Sequence, residues 1–143
     1  MGCAEKDYAG ILGRFFSKAN RVGLASAYLF GSQSTGKAHR ESDVDVGILF
    51  DWQTHPTRRA RFDERLELYS SLIEVLGTNE VDVVILNDAP PLLAARVVVE
   101  GRRVFCAKPL LDRSFFRDVQ LRAADLLPFL SRTRRLKLLA LQR

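Results

Sequence analysis

The sequence predicts a domain of the α/β class, or α+β class, in which helices flank a small mixed β-sheet. Short apolar runs alternate along the chain with longer segments whose apolar residues recur every three or four positions. The length of 143 residues and the hydrophobic fraction of 47% are those of an ordinary globular domain. We therefore expect a single domain over residues 1–143, with the element order α, β, α, β, α, β, α, β, α.

The first predicted elements lead into a polar loop. Residues 5–20 are predicted to form a helix that ends near Asn20, and residues 22–30 a buried strand that stops at Gly31. Residues 31–42 are polar and contain two glycines, so we expect a loop with a short helix in it.

The middle of the chain predicts a strand, a helix and another strand. Residues 43–50 begin with alternating Asp and Val, which places the carboxylates on one face of a strand. A helix is predicted from Pro56 to a cap at Gly77, and a strand rich in β-branched residues over 81–86, followed by a turn. The predicted apolar face of this helix consists of Phe62, Leu66, Tyr69, Leu72, Ile73 and Leu76.

The last elements are two helices separated by a strand. Residues 92–100 are predicted to form a short helix closed by Gly101, and residues 102–106 a fourth strand. From residue 112 the pattern is helical again, and Pro128 is expected to kink or end that helix. Its predicted apolar stripe consists of Phe116, Val119, Ala123, Leu126, Leu127 and Leu130.

The charge of the chain is unevenly distributed. Residues 1–100 carry 11 basic and 14 acidic side chains, whereas residues 101–143 carry 11 basic and 3 acidic ones. A basic segment of this kind can meet nucleic acid, an acidic protein or anionic lipid. Because leucines are interleaved with its basic residues, docking of a partner protein is favoured over nucleic-acid binding.

The segment that begins at Gly31 combines features of a nucleotide site. Gly31 leaves room for a phosphate, and Ser32 follows at an expected helix N-terminus, where free N–H groups favour an anion. Asp43 and Asp45 place two carboxylates on the same side of a strand, within reach of one or two cations. Asp82, at the start of the next strand, is the candidate third carboxylate. Together these residues suggest a site for a Mg²⁺-nucleotide complex and attack at phosphorus.

This combination resembles the signature of the DNA polymerase β-like nucleotidyltransferases. It comprises Gly-Ser at 31–32, a spacer of ten residues, Asp-Val-Asp-Val at 43–46 and Val-Asp-Val-Val at 81–84. The Ser-Asp-Val-Asp-Val segment and the run from Pro90 to Phe105 resemble the minimal nucleotidyltransferase (MNT) group in particular. The resemblance covers about residues 22–106. It implies a polymerase β-like fold for that core, and leaves about residues 110–143 as a basic helical extension.

The resemblance also implies an activity and a partner. Such domains transfer a nucleoside monophosphate, usually AMP from ATP, to a hydroxyl and release pyrophosphate. Many MNT proteins are antitoxins that adenylylate a tyrosine of a HEPN toxin, bind the toxin, or do both. The expected partner is therefore a HEPN-type toxin, held in a hetero-oligomer.

The family's functional residues carry over to the matching positions. Asp43 and Asp45 are expected to hold two Mg²⁺ ions, and Asp82 to bind one of them and act on the acceptor hydroxyl. Gly31 and Ser32 are expected to cradle the triphosphate. The further expected nucleotide contacts are Ser42 and Lys37.

Two other functions remain open from the sequence. One is a module that neutralises a partner by sequestration or binds nucleic acid without catalysis, as the basic C-terminal segment suggests. The other is nucleotidyl transfer to a small molecule, for which the chain leaves little room to build an acceptor domain. The expected location is the cytoplasm, because two cysteines cannot form a disulfide framework and no signal-peptide or membrane-spanning run is evident.

Overall fold

The structure, a computed structural model, describes residues 7–31 and 44–141, with side chains up to residue 126. Within this part of the chain, four strands form one sheet with the order β3-β2-β1-β4. The strands are β1 (Leu24–Phe30), β2 (Val44–Phe50), β3 (Val81–Ile85) and β4 (Arg102–Cys106). The central strand β1 is antiparallel to β2 and β4, whereas β2 and β3 are parallel. The prediction of a small mixed sheet is therefore confirmed.

Four helices lie in the same described residues. They are α1 (Tyr8–Ala19), α2 (Arg58–Leu76), α3 (Pro91–Glu100) and α4 (Pro109–Leu141), and a short 3₁₀ turn, Leu86–Asp88, follows β3. None of these helices combines the length and apolar character that crossing a bilayer requires. The short helix predicted within residues 31–42 falls almost entirely outside the described residues.

The alternation of residues along β2 divides the core into two layers. Val44, Val46 and Ile48 are completely buried on the face that α1 and α2 cover. The opposite face carries Asp45 and packs Leu49 against α3 and α4. Burial of both faces stabilises the sheet through the hydrophobic effect. Asp45, near the start of β2, is only half-buried.

The apolar face predicted for α2 is wrong in part. Leu72 and Leu76 are buried as expected, but Phe62 and Leu66 are 48% and 46% exposed. The buried row instead includes Arg61, whose charge is paired with Asp88 inside the protein. The other buried members of this row are Leu68, Leu72 and Leu76. Gly77 ends the helix in a left-handed conformation, as predicted, with φ of 74°.

Helix α4 continues through Pro128 to Leu141, so of the two outcomes expected at that proline, a kink or a helix end, the helix end is wrong. The helix also begins three residues earlier than expected, at Pro109. Among its described side chains, the buried apolar residues are Phe115, Val119 and Ala123, whereas the predicted Phe116 is 37% exposed.

A buried carboxylate fastens α4 to the sheet. Asp112 accepts hydrogen bonds from Ser26 Oγ and Tyr28 Oη, each at 2.6 Å, and from Arg103 Nη1 at 2.9 Å. Burial, together with the hydrogen bond to Asp112, raises the pKa of the Tyr28 phenol above its ordinary value. The phenol therefore stays a hydrogen-bond donor, and the network joins β1, β4 and α4.

Candidate active site

Two of the predicted site carboxylates lie side by side. Asp45 on β2 and Asp82 on β3 are paired in register on adjacent parallel strands. Because the register matches, both side chains point to the same face of the sheet, with the strands about 4.8 Å apart. Asp45 is half-buried and Asp82 is exposed. The structure thus brings together two acidic residues that are 37 positions apart in the sequence.

Gly31 lies directly against Asp45. It follows β1 with φ of 78°, a conformation that side-chain-bearing residues rarely adopt. A Cβ atom placed on Gly31 would lie 2.5 Å from Asp45 Oδ2, which is too close for any real contact. The pairing of Phe30 with Asp45 fixes this proximity, because it holds the end of β1 beside the start of β2. The absence of a side chain at Gly31 is therefore a requirement of the site.

The remaining predicted site residues, Ser32, Lys37, Ser42 and Asp43, lie outside the described residues. Among the side chains that the structure describes, no three His, Cys, Asp or Glu residues gather closely enough to hold a metal ion. The donor set nevertheless suits a hard divalent cation, because Asp45 and Asp82 present carboxylate oxygens to one space. Two neighbouring carboxylates repel each other unless a cation lies between or beside them.

A groove of roughly 380 Å³ runs along the outer edge of β3, starting at Asp82. We call it the β3 groove. Helix α2 forms one wall and helix α3 the other, and the backbone of β3 forms the floor. The side chains that define it are Arg58, Phe62, Arg65, Asp82, Asp88 and Leu93.

At the far end of this groove, Asp88 forms a partly buried ion pair with Arg61 that the sequence pattern does not reveal. Arg61 donates from Nε and Nη2 to the two oxygens of Asp88, at 3.0 and 2.8 Å. Its Nη1 donates to the carbonyl of His55 at 2.6 Å, and its guanidinium lies 5.1 Å from the centre of the Trp52 ring. The hydrogen bonds from Arg61 hold the pKa of Asp88 below its ordinary value. The cluster of three arginines at 58–61 looks solvated in sequence, and only the position of Arg61 in the row of buried leucines points inward.

Comparison of the chain with known proteins shows which protein family it matches. A family model described as "Polymerase beta, Nucleotidyltransferase" matches residues 14–110. This range includes Gly31, Asp45 and Asp82, as well as the undescribed Asp43. The likeness therefore extends over all four strands of the sheet.

Individual relatives point the same way. Protein adenylyltransferase MntA of Shewanella oneidensis is 35% identical over 82 residues, which are 57% of this chain and 54% of that protein. The chain spans about half the length of the curated relatives it matches.

Solved structures share the fold. A crystal structure of a toxin-antitoxin with AMP-PNP superposes with a TM-score of 0.64 and 25% identity, covering 94% of this chain and 98% of that chain. A structure of tri-AMPylated Shewanella oneidensis HEPN toxin in complex with MNT antitoxin superposes with a TM-score of 0.58 and 22% identity, covering 94% and 99%. At 22% identity, this second superposition shows that the two proteins share a fold.

Proposed function

Because the chain belongs to the polymerase β nucleotidyltransferase family, we propose that it is a protein adenylyltransferase acting as an antitoxin. In this proposal it transfers AMP from ATP to a tyrosine hydroxyl of a HEPN-type toxin, with which it forms a hetero-oligomer. The observation that carries the proposal is the in-register pair of Asp45 and Asp82 with Gly31 against it. The adenylyltransferase relative and the toxin-antitoxin structure with AMP-PNP support the donor and the class of partner.

The carboxylates supply the metal ligands of the proposed site. Asp43 and Asp45 would hold two Mg²⁺ ions, and Asp82 would share one of them, because the carboxylate of Asp82 lies beside that of Asp45 on the paired parallel strand. When bound, such ions neutralise the carboxylates and the phosphate oxygens of the nucleotide. Asp43 precedes Asp45 by two positions, and strand alternation would put both side chains on one face.

The nucleotide is held by the segment that follows β1. Gly31 brings a backbone without a side chain against Asp45, which leaves room for phosphate oxygens beside the carboxylates. Ser32, Ser42 and Lys37 complete the proposed phosphate contacts. A hydroxyl or ammonium donor near the triphosphate provides charge-assisted hydrogen bonds.

Asp82 also acts on the acceptor. It is the more exposed of the two described carboxylates, and it lies at the mouth of the β3 groove, so an incoming hydroxyl can reach it. Asp82 accepts the proton of the tyrosine hydroxyl as the tyrosine oxygen forms a bond to the α-phosphorus. The bond from that phosphorus to the bridging oxygen breaks, and pyrophosphate leaves.

Intact-mass spectrometry of the partner tests the proposal. A HEPN-type toxin is incubated with the purified chain, Mg²⁺ and each of the four ribonucleoside triphosphates in turn. We expect a mass gain equal to one or more AMP groups with ATP, located on tyrosine by fragmentation. Neutralisation of the partner without any mass gain would contradict transfer and favour sequestration, and transfer to an aminoglycoside without the partner would favour a small-molecule acceptor.

A further inference from the structure

We propose that the β3 groove binds an extended segment of the acceptor protein that carries an acidic side chain three or four residues from the modified tyrosine. This inference rests on the proposed function, because it places the reacting hydroxyl at Asp82. It goes beyond that function in assigning a recognition site and a sequence preference. The occupant is a short stretch of polypeptide bound mainly through its side chains.

The dimensions of the groove suit an extended chain. Its floor follows β3 from Asp82 to Ile85, a distance of about 10 Å at the usual rise of a strand. Asp88, in the turn after β3, closes the far end. A segment of four or five residues in extended conformation would therefore run from the carboxylate of Asp82 to the ion pair at Asp88.

The walls of the groove offer apolar contacts. Phe62 on α2 is 48% exposed and Leu93 on α3 is 37% exposed, and both line the groove. An aromatic side chain between them would bury apolar surface on both of its sides. The carbonyl of Val83 already accepts a hydrogen bond from Arg65 Nε at 2.7 Å. This bond caps the edge of β3 at its middle, so recognition depends on side chains rather than on addition of a strand.

The far end of the groove carries a surplus positive charge. Arg61 already bonds to both oxygens of Asp88, so the single negative charge of Asp88 is matched by one buried guanidinium. Arg58 approaches the same carboxylate at 3.6 Å while its side chain remains 80% exposed. One carboxylate is thus shared by two arginines. A glutamate or aspartate of the bound segment would complement the exposed guanidinium of Arg58.

The proposal is tested with synthetic peptides that contain one tyrosine and either Glu or Lys at the third and fourth positions from it, on either side. Binding of fluorescein-labelled copies is measured by anisotropy, and transfer of labelled AMP is measured separately. We expect the wild-type chain to bind the best Glu peptide about tenfold more tightly than its Lys counterpart. Arg58→Glu should abolish or reverse this preference, and Phe62→Ala should weaken binding of both peptides about fivefold.

Two matched variants control for net charge and for loss of an exposed apolar residue. Arg59→Glu makes the same charge change at a neighbouring side chain that is 85% exposed and pairs with Asp63 outside the groove. Leu66→Ala truncates a similarly exposed residue of the same helix that does not line the groove. Both should bind peptides as the wild type does.

The binding and transfer assays separate two kinds of failure. Equal binding of Glu and Lys peptides, equal binding by Arg58→Glu and Arg59→Glu, or no binding at all would overturn the groove assignment. Selective binding without AMP transfer to any peptide or protein would leave the groove as a docking site and would count against the proposed catalytic function.

Discussion

Asp45 and Asp82 occupy matching positions on two adjacent parallel strands, so that residues far apart in the chain present their carboxylates to one space. Parallel pairing is what permits this arrangement, because both strands then begin at the same end of the sheet. The strand β1 ends there too, and it delivers Gly31 to the side of Asp45 opposite β3. The site is thus assembled from the ends of three neighbouring strands.

Gly31→Ala should impair both stability and transfer. The added Cβ would collide with Asp45 Oδ2, and φ of 78° strains any residue with a side chain. We expect a loss of about 1–2 kcal/mol in the free energy of unfolding, measured with urea, and a large loss of AMP transfer per folded molecule. AMP transfer should fall because the added Cβ displaces the carboxylate of Asp45.

Gly23→Ala provides a matched control for that variant. Gly23 also has positive φ, 86°, and its Cβ would meet Thr54 and His55 rather than a predicted site residue. The Gly23→Ala variant should be less stable than the wild type, but its folded molecules should transfer AMP at the wild-type rate. If the folded molecules of Gly31→Ala also transferred AMP at the wild-type rate, as those of Gly23→Ala should, Gly31 would act only through stability.

The buried carboxylate of Asp112 should be a major determinant of how firmly α4 is attached. Asp112→Ala leaves Ser26 and Tyr28 without their acceptor and Arg103 without its counter-ion. We expect the free energy of unfolding to fall by about 3 kcal/mol. Asp118→Ala, at an exposed position of the same helix, should change it by less than about 0.5 kcal/mol. Equal effects of the two substitutions in urea denaturation would contradict the assigned role of the network.

The Asp88–Arg61 pair should make stability depend on pH. The folded-state pKa of Asp88 lies below its ordinary value, chiefly because of the hydrogen bonds from Arg61. Its contribution is therefore complete above the unfolded-state pKa, about 4, and is lost as the pH falls through the lower folded-state value.

Comparison of Asp88→Asn with the wild type isolates this contribution. The variant should be less stable by about 2 kcal/mol at pH 7, because it loses charge-assisted hydrogen bonds in a partly buried position. The difference in urea-unfolding free energy should shrink as the pH is lowered below 4. A difference that stays constant with pH would mean that the charge of Asp88 is not what stabilises the fold.

The carboxylate end of the sheet was predictable from sequence because its signals are local. The alternation of Asp and Val from residue 43 defines both a strand and a face, and Gly31 marks the end of the preceding strand. The position of Asp82 within a β-branched run similarly places it on the next strand. The alignment of Asp45 with Asp82 depends on how β2 and β3 pair, so it is seen only in the structure.

The surface of α2 was less predictable, because long-range pairing overrides its apolar periodicity. Arg61 is buried since Asp88, 27 positions later, neutralises it, whereas Phe62, the next residue of the helix, lines the β3 groove. At Pro128, where a proline would ordinarily interrupt a helix, α4 continues to Leu141. The positions of Ser32, Lys37, Ser42 and Asp43 stay predictions from the sequence.

Transfer of labelled AMP by Asp82→Asn is the most direct test of the paired carboxylates. The substitution keeps the size of the side chain but removes its charge and its capacity to accept the acceptor's proton. With ATP, Mg²⁺ and the partner protein, the rate should fall at least about 100-fold, while the free energy of unfolding stays at or above that of the wild type. As a control, Asp63→Asn removes the charge of an exposed carboxylate on α2, and this variant should transfer AMP at the wild-type rate. A wild-type rate for Asp82→Asn would contradict the assignment of Asp82 to the catalytic centre.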